Sequence, residues 1–169
     1  MKVRRFLAAV AAGLLFDQLT KLVAFNCFSP PPPGAHGPAV IPGFLYITLR
    51  DNPGISFGAL RGVPPWVLIA GNIVIVGFLF YYYLVSEHGE STRFDDLALA
   101  AIIGGAMGNI IDRLWAGVVL DFIDVYVSAI GFDYPVFNVA DILIVLGVGY
   151  MLIACFRKPA PGKDGAPGK

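Results

Sequence analysis

Residues 138–156 read NVADILIVLGVGYMLIACF, nineteen positions with one charged side chain, Asp141, close to the start. A single helical crossing of a bilayer needs roughly 20 apolar residues, and this run supplies them. Asn138 fits an N-cap, which places Asp141 at the third helical position. A carboxylate there satisfies free backbone N–H groups and the positive end of the helix dipole, a gain of about 0.3 to 1 kcal/mol. Its second reading is chemical: an aspartate at mid-bilayer depth costs about 2.5 to 3.5 kcal/mol on insertion scales, so an acid near membrane depth usually faces a cavity, a partner or a substrate.

Three further stretches have the same texture: Phe6 to Phe25, Pro65 to Val85 and Asp96 to Arg113. Across all 169 residues, 57% are hydrophobic and only 14% charged, with a mean hydropathy of +0.72, which puts the chain outside the soluble class. The expected fold is mainly α. It is one membrane-embedded domain over residues 1–158, a four-transmembrane-helix bundle with spans at about 6–25, 65–85, 96–113 and 138–156. A small extracytoplasmic β-hairpin or cradle is expected at about 40–60, where the period changes to two. Phe44, Tyr46 and Thr48 alternate there with Leu45, Ile47 and Leu49, and Asp51-Asn52-Pro53-Gly54 supplies turn chemistry before Ile55-Ser56-Phe57. This amphipathic hairpin is expected to act as a lid on the outer surface. Pro30 to Pro33 read as a stiff extended connector, and the Pro/Gly/Lys tail 159–169 as disordered.

Four spans return both termini to one side. Lys2, Arg4, Arg5, Arg93, Arg157, Lys158, Lys163 and Lys169 share one face against Arg50, Arg61 and Arg113 on the other, so both termini are expected in the cytoplasm. The basic start also resembles a signal peptide, but Asp17 and Lys21 interrupt the apolar tract and no A-x-A site follows, so span one is expected to be retained. Cys27 and Cys155 then sit about 30 Å apart at opposite ends of the bundle, too far for a disulfide. The formal net charge of zero leaves no electrostatic footprint for nucleic acid.

Asp121 and Asp141 both fall near the outer ends of apolar stretches, and two converging acids suggest a water-activating pair. Asp124 competes with Asp121, and spacing alone does not choose between them. Asn109, Asp112 and Arg113 lie at i, i+3 and i+4 on one side of span three, either as a solvated helix end with an Asp–Arg pair or as groups that orient a substrate carbonyl and the acids. Ala100, Gly104 and Gly108 form a small-residue stripe suited to close helix contact within the monomer. Gly54-Ile55-Ser56-Phe57-Gly58 matches G-x-S-x-G, with His36 as a conceivable base, but that elbow needs a strand-to-helix turn on a large sheet. There is no H-E-x-x-H, and His88 falls in the cytoplasmic loop, so neither metal nor cofactor is expected. A rival class is a small proton-coupled transporter or channel subunit with Asp17, Lys21, Asp121 and Asp141 as a relay. Spans two and four, however, carry no acid or base in their inner halves.

Taken in order, Asp17-Gln18-Leu19-Thr20-Lys21, Arg50-Asp51-Asn52-Pro53-Gly54-Ile55-Ser56-Phe57-Gly58, Gly104 to Arg113 with Val119-Leu120-Asp121-Phe122, and Phe137-Asn138-Val139-Ala140-Asp141 resemble the successive signature blocks of the bacterial lipoprotein signal peptidases, signal peptidase II. The blocks cover nearly the whole chain. The resemblance implies an intramembrane aspartic endopeptidase with four transmembrane helices and an outer β-cradle. It would remove the signal peptide from prolipoproteins by cleaving before the diacylglyceryl-modified cysteine. It implies Asp121 and Asp141 as the catalytic dyad, which favours Asp121 over Asp124. Asn52, Gly54, Asn109, Arg113, Asn138 and Ala140 would bind substrate or support the acids, and Asp17 with Lys21 would be a structural pair. The partners implied are lipidated prolipoproteins and membrane lipid, acted on by a monomer in the bacterial inner membrane with its active site toward the outer face. Two departures from the family pattern are Pro53 after the Asn and Leu120 before the Asp.

In a dyad, two nearby carboxylates do not both ionise cheaply, so one holds a proton while the other is charged. Helix-dipole stabilisation favours Asp141 as the ionised member, but the apparent pKa values belong to the pair and assign the proton to neither aspartate.

Overall fold

The computed structural model describes residues 3–54, 62–85 and 92–157. Along the chain run α1 (Val3–Cys27), β1 (Ala39–Ile41), β2 (Leu45–Asn52), α2 (Pro65–Val85), α3 (Arg93–Ala116), β3 (Val119–Val127), β4 (Phe132–Asp133) and α4 (Val139–Arg157). All four helices are long and apolar enough to cross a membrane. The third exceeds its expected span by about a turn at each end, for local reasons. Thr92 and Asp95 form a reciprocal capping box at its start, and Gly117, in the left-handed region, closes its end by donating its N–H to the Arg113 carbonyl oxygen at 3.1 Å.

Helix α3 is the core of the bundle. In its most apolar window 67% of residues are buried, against 11 to 22% in the other three, because α1, α2 and α4 all pack on it. Small residues permit this. A Cβ added at Gly105 would stand 2.6 Å from the Ala140 carbonyl oxygen, and one at Gly108 would overlap the Asp17 carboxylate. The close contacts thus lie inside the monomer, as the Ala100-Gly104-Gly108 stripe predicts. At one end of the bundle Phe6 stacks on Tyr83 with ring centroids 3.6 Å apart, over Val10, Leu99 and Ile103. At the other, Ala24, Leu49, Phe122 and Val139 join helices to sheet. Exposed apolar side chains such as Leu15, Phe16, Val74, Phe78, Val145 and Leu152 cover the outside of the bundle, the surface a bilayer solvates.

The sheet differs from the expected hairpin. Its order is β1-β2-β3-β4, antiparallel throughout. One hairpin joins β1 and β2 through residues 42–44, upstream of the expected turn at 51–54, whose return strand is not among the described residues. The far edge of β2 pairs with β3, a segment that reads from sequence as an outer loop; Arg50 lies opposite Asp121 and Tyr46 opposite Asp124. Over 39–52 the segment expected as a lid is part of a four-stranded sheet. Ser56, the expected return strand Ile55–Phe57, Arg61, His88 and the tail 159–169 lie outside the described residues.

Candidate active site

Asp121 and Asp124 are three apart on β3, so their side chains point to opposite faces of the sheet. Asp121 faces the helices. Its Oδ1 accepts from Asn138 Nδ2 at 2.7 Å and its Oδ2 from Asn52 Nδ2 at 2.9 Å. Asp124 meets His36 and Thr48 on the other side. Of the two, Asp121 is the one that shares Asn138 with Asp141.

Asp141 reaches that layer because α4 is anchored to β3. Phe137, just ahead of the helix, exchanges backbone hydrogen bonds with Ile123 at 2.8 and 3.0 Å. Asn138 then caps α4 as expected, with Oδ1 accepting from the Asp141 N–H at 2.9 Å and its own N–H donating to Asp141 Oδ2 at 3.3 Å. Asn109 Nδ2 donates to Asp141 Oδ1 at 3.1 Å, and Asn138 Nδ2 donates to Asn109 Oδ1 at 3.2 Å. Two amides therefore bridge the two acids, in the order Asp121, Asn138, Asn109, Asp141. Burial pushes the Asp121 carboxyl up to about 7, helped by the charge of Asp141 and opposed by the Asn52 and Asn138 hydrogen bonds.

Beneath this layer lies an ionic one. Lys21 Nζ sits 2.8 Å from Asp17 Oδ2 and 2.6 Å from Asp112 Oδ2, and donates to Asn109 Oδ1 at 3.2 Å. All three ionic groups are at most 4% exposed, so each depends on the others for its charge to be tolerated. Gln18 Nε2 donates to both acids, and Asp17 Oδ1 accepts the Ala140 N–H at 2.8 Å. Asp17 and Lys21 thus form an ion pair that reaches Asn109 and the Ala140 N–H, beneath Asp121 and Asp141.

The solvated Asp112–Arg113 pair is not what forms. Asp112 belongs to Lys21, while Arg113, buried, donates from Nη2 to the Gly54 carbonyl oxygen at 2.7 Å and from Nη1 to the Asn109 carbonyl oxygen at 3.2 Å. It positions the end of β2, where the Gly54 N–H also donates to Asn52 Oδ1 at 3.1 Å.

Two cavities meet at Asn52 and Asp141. One of about 520 Å³ is apolar, walled by Phe132, Tyr134, Phe137, Ile142, Val145 and Leu146. A smaller one of about 170 Å³ is lined by Asn72, Ala106, Asn109, Arg113 and Ile144, in a cleft between α2 and α4. Asn72 is a residue the sequence reading missed. Its signal was available, since it is the one amide in the otherwise apolar α2.

The sequence profile of the Signal peptidase (SPase) II family matches residues 9–157. The chain belongs to the signal peptidase II family. It is thus a peptidase, and the relay expected of a transporter or channel subunit finds no support. Among relatives named "Lipoprotein signal peptidase", one from Halalkalibacterium halodurans is 37% identical to this chain over 119 residues, 70% of this chain and 73% of that one. It is 34% identical to one from Syntrophus aciditrophicus over 170 residues, 94% and 97% of the two chains. A solved structure described as "Bacterial membrane enzyme structure by the in meso method at 2.3 A resolution" superposes with a TM-score of 0.79 at 30% identity, covering 96% of each chain.

Proposed function

We propose that this signal peptidase is an intramembrane aspartic endopeptidase that removes the signal peptide of prolipoproteins by cutting immediately before the diacylglyceryl-modified cysteine. Asp121 and Asp141 are its catalytic dyad. The observation that carries this reading is the pair itself: two carboxylates joined through Asn138 and Asn109, one of them pushed to about 7, at the junction of an apolar and a polar cavity.

The pair holds one proton, and it resides on Asp121. Asp141, at the positive end of α4 and accepting from Asn109 and the Asn138 N–H, takes a proton from water as that water attacks the scissile carbonyl. Asp121 simultaneously donates to the carbonyl oxygen. A tetrahedral diol forms, and it collapses when the leaving amine receives a proton from the pair. No bond to the enzyme is made. Asn52, Asn109, Asn138, Arg113, Gly54 and Ala140 are positioning residues for the dyad and the substrate strand. The apolar cavity takes the lipidated, hydrophobic part of the substrate, and the cleft between α2 and α4 lets it arrive sideways from the bilayer.

The enzyme works as a monomer, multi-pass in the bacterial cytoplasmic membrane, with both termini in the cytoplasm and the sheet on the outer face. The test is cleavage of a lipidated, cysteine-containing signal peptide by purified variants. Asp121→Asn and Asp141→Asn should each abolish cleavage while thermal unfolding stays cooperative, and Asp51→Asn, an exposed neighbour, should remain active. Full activity in either of the first two overturns the assignment.

A further inference from the structure

The face of the sheet turned away from the dyad carries a second polar cluster, one that the proposed peptidase chemistry does not use. His36 precedes β1, Asp124 lies on β3 and Asp133 on β4; a ligand atom from each falls within 4.8 Å of the other two. Sequence reading expects no metal here, because positions 36, 124 and 133 have no recognisable ligand spacing. The fold gathers them. His36 Nδ1 is 2.8 Å from Asp124 Oδ2, and its ring is fixed by stacking on Tyr126 at a centroid distance of 4.4 Å. Thr48 Oγ1, itself accepting the Gly37 N–H at 2.8 Å, donates to the same carboxylate oxygen.

The other oxygen, Asp124 Oδ1, is the telling one. Asp124 is 1% exposed, yet Oδ1 has no hydrogen-bond partner among the described residues, an unfavourable state for a buried carboxylate oxygen. Asp124 borders a cavity of about 270 Å³ shared with His36, Thr48, Arg50 and Asp133, large enough for an ion and its waters. Arg50, on the same cavity, donates from Nη2 to the Ala35 carbonyl oxygen at 3.0 Å.

We propose that His36, Asp124 and Asp133 form a binding site for a divalent transition cation of the Zn²⁺ type, which clips the segment before β1 to β3 and β4. One imidazole and two carboxylates are a ligand set such ions accept, with water completing a tetrahedral shell. Bonds of about 2.0 to 2.2 Å set ligand atoms about 3.3 to 3.6 Å apart, so closure parts His36 Nδ1 from Asp124 Oδ2, which stand 2.8 Å apart, and draws in the exposed Asp133 side chain. The ion is structural. It sits across the sheet from the dyad and takes no part in peptide cleavage.

The experiment uses the full-length enzyme in detergent, stripped with chelator and titrated with Zn²⁺ alone, reading bound metal by equilibrium dialysis and Tm by thermal unfolding. Wild type should bind one equivalent with micromolar or tighter affinity and gain Tm. Asp133→Asn, an exposed change with little risk to folding, and His36→Gln should each weaken binding by about tenfold or more and lose the Tm gain. Asp121→Asn and His88→Gln should bind as wild type does. Absence of stoichiometric binding, or equal binding in Asp133→Asn and His36→Gln, overturns the site. So does a His36→Gln variant of lowered Tm in a protein whose Tm never responds to zinc, the signature of a plain His36–Asp124 contact.

Discussion

A carboxyl pushed to about 7 makes Asp121 the group whose titration an assay reads. As pH rises through 7 the pair loses its single proton and with it the acid that polarises the carbonyl, so kcat/KM should fall by about tenfold per pH unit on the alkaline side. Asn52 donates to Asp121 and favours its charged form. Asn52→Ala should therefore move the alkaline limb to higher pH; a limb that stays put belongs to another group. Stability follows the same proton. The native carboxyl keeps it up to about 7, whereas the unfolded chain releases it near 3.8, so native protein binds more protons across that window and loses stability as pH climbs through it. Thermal unfolding of Asp121→Asn should show a flatter slope there. At this scale the sequence was legible where chemistry is rare: acids, amides and an arginine stand out in an apolar chain. It was illegible where facing mattered. Asp121 and Asp124 separate only when β3 has two sides, and Arg113 parts from Asp112 only when Lys21 on α1 claims the carboxylate.

Helices were the legible elements, because each buries a stripe or faces lipid over some twenty residues and the apolar run announces its own length. Strands were not. Residues 119–127 read VLDFIDVYV, in which acids and apolar residues interrupt any clean alternation, and the partner strand lies some seventy positions upstream. Nothing local states that pairing. The contact between α3 and α4 shows what element packing contributes to the site. Gly105→Ala would press a methyl onto the Ala140 carbonyl, one residue before Asp141, and must part the helices to fit. It should lower turnover well beyond its loss of stability. Thr92→Ala is the matched control: it removes the cap of the same helix at the far end, and should cost about 1 kcal/mol of stability while leaving kcat/KM untouched. Equal effects of the two on turnover would mean that the α3–α4 contact does not govern the dyad.

For the whole molecule, orientation is the property that a soluble enzyme lacks. Both cysteines are exposed, Cys27 at the sheet end of α1 and Cys155 near the end of α4 away from it. In intact cells a membrane-impermeant thiol reagent should label Cys27 and spare Cys155 until the membrane is opened. The reverse pattern would turn the sheet and dyad toward the cytoplasm. The hydrogen bond from the Ala140 N–H to Asp17 joins positions 123 residues apart, tying the first helix to leave the ribosome to the last. Before α4 is translated Asp141 is absent, and Asp17 and Lys21 have their partners on α1 and α3 but lack the Ala140 N–H. On the proposed dyad, a nascent chain arrested before residue 138 should leave a lipidated signal peptide uncut, and proteolysis should begin only once the start of α4 has joined the other three helices.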